Sequence, residues 1–293
     1  MIPSPIPEIV IVTGASSGIG AATARELARR GFHVLAGVRR DRDADALRGP
    51  GIEPLILDIT HPEHIRALAA RVQGDPQGRA VRALVNNAGV PVNVPVEVFP
   101  IDEWRRLFEV NLFGHVAVTQ ALLPALVRGK GRVINISSVG GRVAMATYGP
   151  YAGTKFALEA VSDALRREIA PSGVQVVVVE PGAVRTEMLG RAATTAQQLA
   201  STLTPEQGQR YGGLVQAIAA QTASATEWGV PAETAAQVIA RAVTARKPRT
   251  RYTVGRDAAL VTFMARILPD RMLDCVVAAT LRPYFPKQSR SAH

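Results

Sequence analysis

The chain has 293 residues, of which 47% are hydrophobic, so it can bury the core of one large domain. Its net charge is +10, but the basic residues are spread out and lack aromatic stacking platforms, which argues against nucleic-acid binding. A single cysteine, Cys275, excludes an internal disulfide, and the histidines lack metal-ligand spacing, so no metal is predicted. Without a secretory signal or a bilayer-spanning apolar run, a cytoplasmic protein with no transmembrane segment is expected.

Apolar runs bounded by turn residues alternate with helical patterns along the chain. Six of these runs predict strands at 9–12, 34–38, 54–57, 83–86, 132–136 and 174–180. A seventh short strand is predicted at 251–254, after a helix over 231–245. Because continuous Val/Ile/Leu runs suit strands buried on both faces, the predicted fold is α/β, a single Rossmann-type doubly wound domain with a seven-stranded parallel sheet.

The domain is predicted over residues 8–255, after a flexible N-terminus at 1–7. Residues 185–230 follow the sixth strand and are interpreted as a substrate flap, with a surface helix pair of no functional role as the alternative. Residues 256–293 are predicted to form a helical C-terminal extension, because apolar residues recur there at helical spacing. Core or oligomer packing is expected for these side chains, and peripheral membrane contact is the second interpretation. They are Leu260, Phe263, Met264, Ile267 and Leu268.

A glycine-rich turn follows the first strand and opens a helix, which is the context that binds a pyrophosphate. Gly14, Gly18 and Gly20 permit a tight turn and a close approach of the backbone to phosphate. Ser16 and Ser17 offer hydroxyls beside that path, although a serine in a turn also bonds its own backbone.

The end of the second strand bears on the choice between NADP(H) and NAD(H). Val38 stands where an acidic residue would accept the ribose hydroxyls, and Arg39 follows with a guanidinium suited to a 2′-phosphate. A charge-assisted contact is worth about 1.5–3 kcal/mol, so NADP(H) is favoured over NAD(H). The alternative is that Arg39 and Arg40 are solvated turn residues neutralised by Asp41 or Asp43.

Polar residues follow the third and fourth strands at the adenine end of the predicted cofactor site. Asp58 comes directly after the third strand, and Asn87 ends the fourth. Asp58 could equally cap the helix that begins near His61. Asn87 could also pin neighbouring strands through its amide.

Tyr151 and Lys155 are four residues apart, which places an ammonium one helical turn from a phenol. With Ser138 thirteen residues before Tyr151, Asn111, and the motifs at 13–20, 86–89 and 181–186, the chain closely resembles the short-chain dehydrogenase/reductase family over residues 8–255. The turn at 37–40 and the long tail are similar to the retinol and 17β-hydroxysteroid dehydrogenase branch.

The resemblance implies hydride transfer between a nicotinamide and a carbonyl or alcohol in a homodimer or homotetramer. Tyr151 would donate the proton, with Lys155 and the nicotinamide's positive charge lowering its pKa from about 10 towards neutrality. Lys155 would also hold the ribose, and Ser138 would bind the substrate oxygen. Asn111 would position a proton-relaying water, or only mark a helix kink. Further implied cofactor contacts are Ile19, Ala88, Gly89, Pro181, Gly182, Val184 and Thr186.

The predicted substrate pocket is mostly apolar. Its candidate residues are Val139, Val143, Met145, Tyr148, Met188 and Leu189. The predicted function is NADP(H)-dependent interconversion of a hydrophobic ketone or aldehyde, such as a steroid or retinoid carbonyl, and its alcohol. A 3-oxoacyl-type reductase is the alternative enzyme, and a non-catalytic NADP(H)-binding regulator is the alternative from another class.

Overall fold

A computed structural model describes residues 6–188, 190, 194, 198 and 203–285. The strands in this part of the chain are β1 (Ile9–Val12), β2 (His33–Val38), β3 (Ile52–Ile56), β4 (Val81–Asn86), β5 (Arg132–Ile136), β6 (Gln175–Pro181), β7 (Val184–Arg185), β8 (Val230–Pro231) and β9 (Arg251–Val254). The α-helices with defined bounds are α1 (Gly18–Arg29), α2 (Asp41–Leu47), α3 (Pro62–Gln73), α4 (Ile101–Phe108), α5 (Gly114–Arg128), α6 (Gly149–Ile169), α7 (Pro205–Trp228), α8 (Ala232–Thr244), α9 (Arg256–Ile267) and α10 (Asp270–Leu281).

The main sheet has seven strands in the order β3-β2-β1-β4-β5-β6-β9, and every neighbouring pair is parallel. The short strands β7 and β8 form a separate parallel pair. The predicted seven-stranded parallel sheet is therefore confirmed. β3 begins at Ile52, two residues before the predicted start at Pro54, because proline is tolerated in an edge strand.

Two apolar layers cover the sheet, one on each face. Val10 and Val12 of β1 point into the layer shared with α1 and α8, whereas Ile9 and Ile11 point into the layer shared with α3 and α5. All four side chains are 0% exposed. A strand buried on both faces explains the uninterrupted apolar run in the sequence.

Arg132 joins the sheet to the C-terminal end of α8. It is 4% exposed, and its Nη1 donates to the carbonyls of Ala242 and Val243 at 2.6 Å each. Its Nη2 donates to the carbonyl of Ala245, and its Nε donates to Gln175 Oε1 at 2.8 Å. One buried cation thus satisfies carbonyls that the end of a helix leaves unpaired.

The C-terminal extension is helical over α9 and α10, as predicted. Of the two expectations for its apolar residues, packing in the core is wrong for three of them, and packing in an oligomer stays a prediction. Leu260, Phe263 and Ile267 are 58%, 59% and 57% exposed. β9 is the edge strand of the sheet, and α9 follows it directly in the chain. No strand beyond β9 is present in the described part of the sheet for these side chains to pack against. α10 instead packs on α7, where Leu281 belongs to a small apolar cluster with Ala217.

A continuous helical stretch of 28 residues, Ile101–Arg128, combines α4, α5 and the turn between them. By length and composition alone it could cross a membrane, which the sequence analysis did not anticipate. Half of its most apolar window is buried within the domain. Because the core helices of globular domains have the same length and composition, this stretch is weak evidence for a membrane span.

Candidate active site

The glycine-rich turn at 13–17 leaves β1 and enters α1. Gly14 and Gly18 have positive φ angles of 63° and 53°, which favour glycine. A Cβ on Gly20 would lie 2.2 Å from the Gly14 carbonyl oxygen, so a side chain is excluded there. Ser17 is the N-cap residue of α1, and its hydroxyl makes no capping hydrogen bond. The turn and the helix N-terminus therefore fit a phosphate-bearing cofactor.

Three other predicted contacts lie around this turn. Ser16 is exposed. Ile19 is partly buried and packs against the apolar layer on that face of the sheet, so a cofactor contact falls to its backbone amide. Thr186 approaches the turn from beyond β6, because a Cβ on Gly18 would lie 3.0 Å from Thr186 Cγ2.

Asn87 holds the glycine turn against β4. Its Nδ2 donates to the carbonyls of Thr13 and Gly14 at 2.9 and 3.0 Å. In return, Thr13 Oγ1 accepts from the backbone N–H groups of Asn87 and Ala88 at 2.9 and 3.0 Å. The structural alternative for Asn87 is therefore correct, and its cofactor contact stays a prediction. Thr13 is a turn-positioning residue that the sequence analysis missed, although its place just before Gly14 was visible.

Arg39 follows the last residue of β2, and its side chain is exposed. Val38 before it is 1% exposed, so it faces the core and offers the ribose no polar group. Asp43 Oδ1 lies 3.7 Å from Arg42 Nε, which means that this carboxylate faces Arg42 rather than Arg39. An exposed guanidinium at the carboxyl end of β2 suits a 2′-phosphate.

Asp58 bonds within its own loop. Its Oδ1 accepts from the backbone N–H and the hydroxyl of Thr60 at 2.9 and 2.7 Å. Burial raises the pKa of Asp58, but these bonds and the positive charges of His61 and Arg39 bring it below its usual value. The N-cap residue of α3 is His61, so the alternative that Asp58 caps this helix is wrong.

Ser138, Tyr151 and Lys155 meet where β5 ends and α6 begins. Lys155 Nζ lies 5.7 Å from the centre of the Tyr151 ring and donates to the Ile136 carbonyl at 2.9 Å. Ser138 caps the 3-10 turn Val139–Gly141 by accepting from the Gly140 N–H at 3.0 Å. The predicted phenol, ammonium and hydroxyl are thus together on two adjoining elements.

Burial acts in opposite directions on the two titratable groups. It raises the pKa of Tyr151 to about 12, against a lowering effect of the Ser138 hydroxyl. It lowers the pKa of Lys155 to about 8, against the opposing charge of Glu159. The protein's own groups therefore do not lower the pKa of Tyr151 towards neutrality. That lowering stays a prediction for the complex with an oxidised, positively charged nicotinamide.

Asn111 lies in a π-helical turn, Glu109–Phe113, which interrupts the path from α4 to α5 as expected. Its side chain is 0% exposed and holds the loop after β4. The Oδ1 atom accepts from the Val90 N–H at 2.9 Å, and Nδ2 donates to the Val90 carbonyl at 3.0 Å and to Thr154 Oγ1 at 3.3 Å. Both hydrogens of Nδ2 are engaged, whereas Oδ1 accepts one bond and keeps a second lone pair, so the water-positioning role stays a prediction.

Gly89 lies where these groups converge. A Cβ on Gly89 would lie 3.4 Å from Asn111 Oδ1 and 3.9 Å from Lys155 Nζ. On the other side, Pro181 ends β6, and a Cβ on Gly182 would lie 2.2 Å from Asp257 Oδ2, so a side chain there would displace the Asp257 carboxylate on α9. Val184, 5% exposed, belongs to β7.

The predicted pocket residues are only partly brought together. The rings of Tyr148 and Tyr151 meet edge to face with centroids 6.3 Å apart. Val139 and Met145 are partly buried and Val143 is 3% exposed, all on the segment between β5 and α6. Met188 is 37% exposed, and Leu189 lies outside the described residues.

The sequence analysis missed the 3-10 turn Val96–Val98, which lies at the same end of the site. A Cβ on Gly149, at the start of α6, would lie 2.7 Å from Val96 Cγ2. From α7, Tyr211 Oη donates to Glu97 Oε2 at 2.7 Å and Arg210 Nη1 donates to it at 3.0 Å. This turn therefore connects the start of the Tyr151 helix to the described part of the predicted flap.

The protein has the features of a Rossmann-type oxidoreductase. These features are a glycine turn at a helix N-terminus, a parallel doubly wound sheet, and a tyrosine, a lysine and a serine at the carboxyl edge of that sheet. Residues 8–197 match the family model for short chain dehydrogenases. The chain therefore belongs to the short-chain dehydrogenase/reductase family, whose enzymes interconvert alcohols and carbonyls with NAD(P).

Individual relatives agree with this assignment. The chain is 38% identical over 277 residues to retinol dehydrogenase 5 of Mus musculus, covering 92% of this chain and 87% of that protein. It is 34% identical to the NADPH-dependent 3-dehydrocapnine reductase of Ornithobacterium rhinotracheale, covering 93% and 96%. It is also similar to the crystal structure of a short-chain dehydrogenase from Streptomyces avermitilis, with a TM-score of 0.74 at 31% identity and coverage of 95% and 96%. The predicted similarity to the retinol dehydrogenase branch is confirmed.

Proposed function

We propose that this protein is an NADP(H)-dependent oxidoreductase that interconverts a hydrophobic ketone or aldehyde and its alcohol. The observation that carries the proposal is the contact of Tyr151 with Lys155 and Ser138 beside the glycine turn and the loop at Gly89. Bound nicotinamide supplies or accepts the hydride. The residues of this chain bind the reactants and move the proton.

Each role follows from the atom that a residue presents. In carbonyl reduction the Tyr151 hydroxyl donates a proton to the substrate oxygen, and in alcohol oxidation its phenolate accepts one. Ser138 donates a hydrogen bond to the same oxygen as negative charge develops there. Lys155 is held by the Ile136 carbonyl, which directs one of its three N–H bonds and leaves two for a ribose or a water.

The preference for NADP(H) is supported by the end of β2. An exposed Arg39 follows a buried Val38, and Asp43 is turned to Arg42. A relative that is 34% identical carries NADPH dependence in its name. Because Asp43 faces Arg42, Arg39 can bind a 2′-phosphate without first breaking an ion pair to Asp43.

The hydrophobic substrate class is supported by the apolar residues between β5 and α6 and by Val96, which is 63% exposed beside the start of α6. Relatives named retinol dehydrogenase point to the same chemistry. Residues 185–230 are proposed as the flap that covers this substrate, within a domain that spans 8–255. Arg210 and Tyr211 of α7, which belongs to that flap, bind Glu97 in the 3-10 turn Val96–Val98.

Association into a homodimer or homotetramer is also proposed. Phe113 and Phe156 are 51% and 44% exposed on the surface around α5 and α6, and Phe263 is 59% exposed on α9. Burying such side chains between subunits is favourable. Light scattering at micromolar concentration gives the mass, and a monomer with no larger species would contradict the proposal. A cytoplasmic location stays a prediction, with peripheral membrane contact of α9 as its alternative.

The function is tested by following NADPH oxidation against steroid, retinoid, β-ketoacyl and small aromatic carbonyls. Turnover of a bulky apolar ketone or aldehyde is expected, with kcat about 10²–10⁴-fold lower in Tyr151→Phe because the proton donor is lost. Tyr148→Phe is the matched comparison, since this neighbouring phenol has no lysine four residues later, and a much smaller loss is expected.

Three results would contradict the proposal in different ways. Turnover restricted to β-ketoacyl compounds would indicate the 3-oxoacyl-type reductase. Full activity in Tyr151→Phe would remove the assigned proton donor. Tight NADPH binding without turnover of any substrate would indicate the non-catalytic regulator.

A further inference from the structure

A buried cluster of charges lies behind the active site, where α6, β6 and β9 meet. Glu159 and Glu180 are 5% and 3% exposed. Arg251 Nε and Nη2 donate to Glu159 Oε2 at 3.2 and 3.0 Å, and Nη2 also donates to Asp163 Oδ1 at 2.9 Å. Arg251 Nε lies 3.3 Å from Glu180 Oε1. Neither the hydride transfer nor the proton transfer described above uses these groups.

Glu159 occupies the position one helical turn after Lys155 on α6. Side chains on a helix lean towards its N-terminus, so the Glu159 carboxylate is directed to the turn that carries Lys155. The face they share is closed: a Cβ on Gly141 would lie 3.1 Å from the Lys155 carbonyl oxygen and 3.2 Å from Glu159 Cγ. This helix face therefore packs closely against the 3-10 turn.

One oxygen of Glu159 is engaged and the other is not. Oε2 accepts both bonds from Arg251, whereas Oε1 has no hydrogen-bond partner within the described ranges. A buried carboxylate oxygen without a partner is costly unless a nearby positive charge compensates it. Arg251 supplies one such charge, and Lys155, 4% exposed and one helical turn away, is a second one on the same helix.

We propose that Glu159 is a positioning residue, whose buried carboxylate, held by Arg251, keeps Lys155 charged and thereby sets the pH at which Tyr151 exchanges its proton. The inference rests on the proposed roles of Tyr151 and Lys155. Substituting Glu159 would affect the reaction of the substrate only indirectly, through the charge of Lys155.

The electrostatics of the cluster agree with this role. Burial lowers the pKa of Lys155, and Glu159 opposes the shift. Burial, and then the negative charge of Glu159, raise the pKa of Glu180 to about 7, so Glu180 is a carboxyl of the cluster that takes up a proton near neutrality. The other charged or titratable groups that lie near this cluster or near Lys155 are Arg142, Tyr151, Asp163, Arg166, Arg251 and His115.

A purely structural role for Glu159 makes a different prediction. If the carboxylate only anchors Arg251, its removal lowers the stability of the fold but leaves the titration of Lys155 unchanged. Asp163 provides the matched control. It binds the same guanidinium from the same helix but lies two turns from Lys155.

The test is a pH titration of the cofactor-free full chain labelled with [13C]lysine, in which NMR follows the side-chain carbons of the four lysines. Lys155→Arg assigns the Lys155 signal, whose midpoint is expected near pH 8. Glu159→Gln is expected to lower this midpoint by about 0.5–1 pH unit, and Asp163→Asn by less than about 0.2.

An unchanged midpoint in folded Glu159→Gln, or an equal shift in Asp163→Asn, would overturn the proposal. If Glu159→Gln does not fold, Glu159→Met removes the same charge without a polar atom left unpaired, and the same lowering is expected. Because this titration needs neither substrate nor cofactor, its outcome is independent of whether the proposed turnover is found. Where turnover is found, Glu159→Gln should also move the acidic limb of alcohol oxidation to higher pH.

Discussion

Replacing Arg39 with aspartate tests whether its guanidinium causes the preference for NADP(H) over NAD(H). The guanidinium is exposed at the end of β2, where it would contact a 2′-phosphate in a largely solvated setting. A hydrogen bond to a charged group contributes about 1.5–3 kcal/mol, which corresponds to roughly a ten- to hundredfold change in affinity. Arg39→Asp removes this contact and adds a repulsive carboxylate, while the same carboxylate can accept the ribose hydroxyls of NADH. We therefore expect the ratio of NADPH to NADH affinity to fall at least about tenfold.

Both affinities can be measured by nucleotide fluorescence at one ionic strength, so that no substrate is needed, and kcat/KM ratios add a second reading. Arg40→Asp is the control, because it changes the charge equally one residue further on, at the N-cap of α2. It should weaken both nucleotides modestly and alike. Equal losses of NADPH and NADH in Arg39→Asp, or the same change of ratio in Arg40→Asp, would refute the assignment of the 2′-phosphate to Arg39.

Three further outcomes test other parts of the structure. Gly20→Ala places a Cβ 2.2 Å from the Gly14 carbonyl oxygen and should weaken NADPH binding at least about tenfold, whereas Gly49→Ala, with open space around it, should not. Arg132→Met removes the donor to the Ala242 and Ala245 carbonyls at the end of α8, while Arg82 Nε still donates to Val243, and should lower the free energy of unfolding in urea by about 3 kcal/mol. No loss would mean that water replaces the guanidinium. Burial, and then the charge of Lys155, lower the pKa of His115 to about 3. The stability due to neutral His115 is thus present above its ordinary pKa of 6.5 and is lost as the pH falls towards 3. His115→Gln should therefore make the free energy of unfolding in urea depend less on pH between 6.5 and 3. The same pH dependence in this variant and in the unsubstituted protein would contradict the prediction.

The sheet and the glycine turn could be predicted because their signals are local. The apolar run at 9–12 matches β1 residue for residue, and the four-residue spacing of Tyr151 and Lys155 needs only the geometry of one helix. The exposure of α9 could not be predicted in this way. Its apolar periodicity shows that one face differs from the other, but not whether another element covers that face.

Contacts between distant parts of the chain were equally out of reach. Arg251 is 92 residues from Glu159, and Tyr211 is 114 residues from Glu97, so neither pair leaves a spacing signal in the sequence. In the sequence, Arg251 is one of many basic residues, at the start of a short strand. Only the placement of β9 next to β6 brings its guanidinium to the two buried glutamates.

The same burial that closes the active site works against its chemistry. With the pKa of Tyr151 raised to about 12 and that of Lys155 lowered to about 8, the phenol of an isolated buried pair stays neutral and the amine loses its charge above about pH 8. Such a pair can donate a proton to a carbonyl but is poor at accepting one from an alcohol. Nearby charges are needed to keep the amine protonated and to lower the pKa of the phenol. Within the protein, the carboxylate of Glu159 supplies the negative charge that acts on Lys155. A positive charge above Tyr151 is what an oxidised nicotinamide brings, so alcohol oxidation should depend on Glu159 more steeply than carbonyl reduction does.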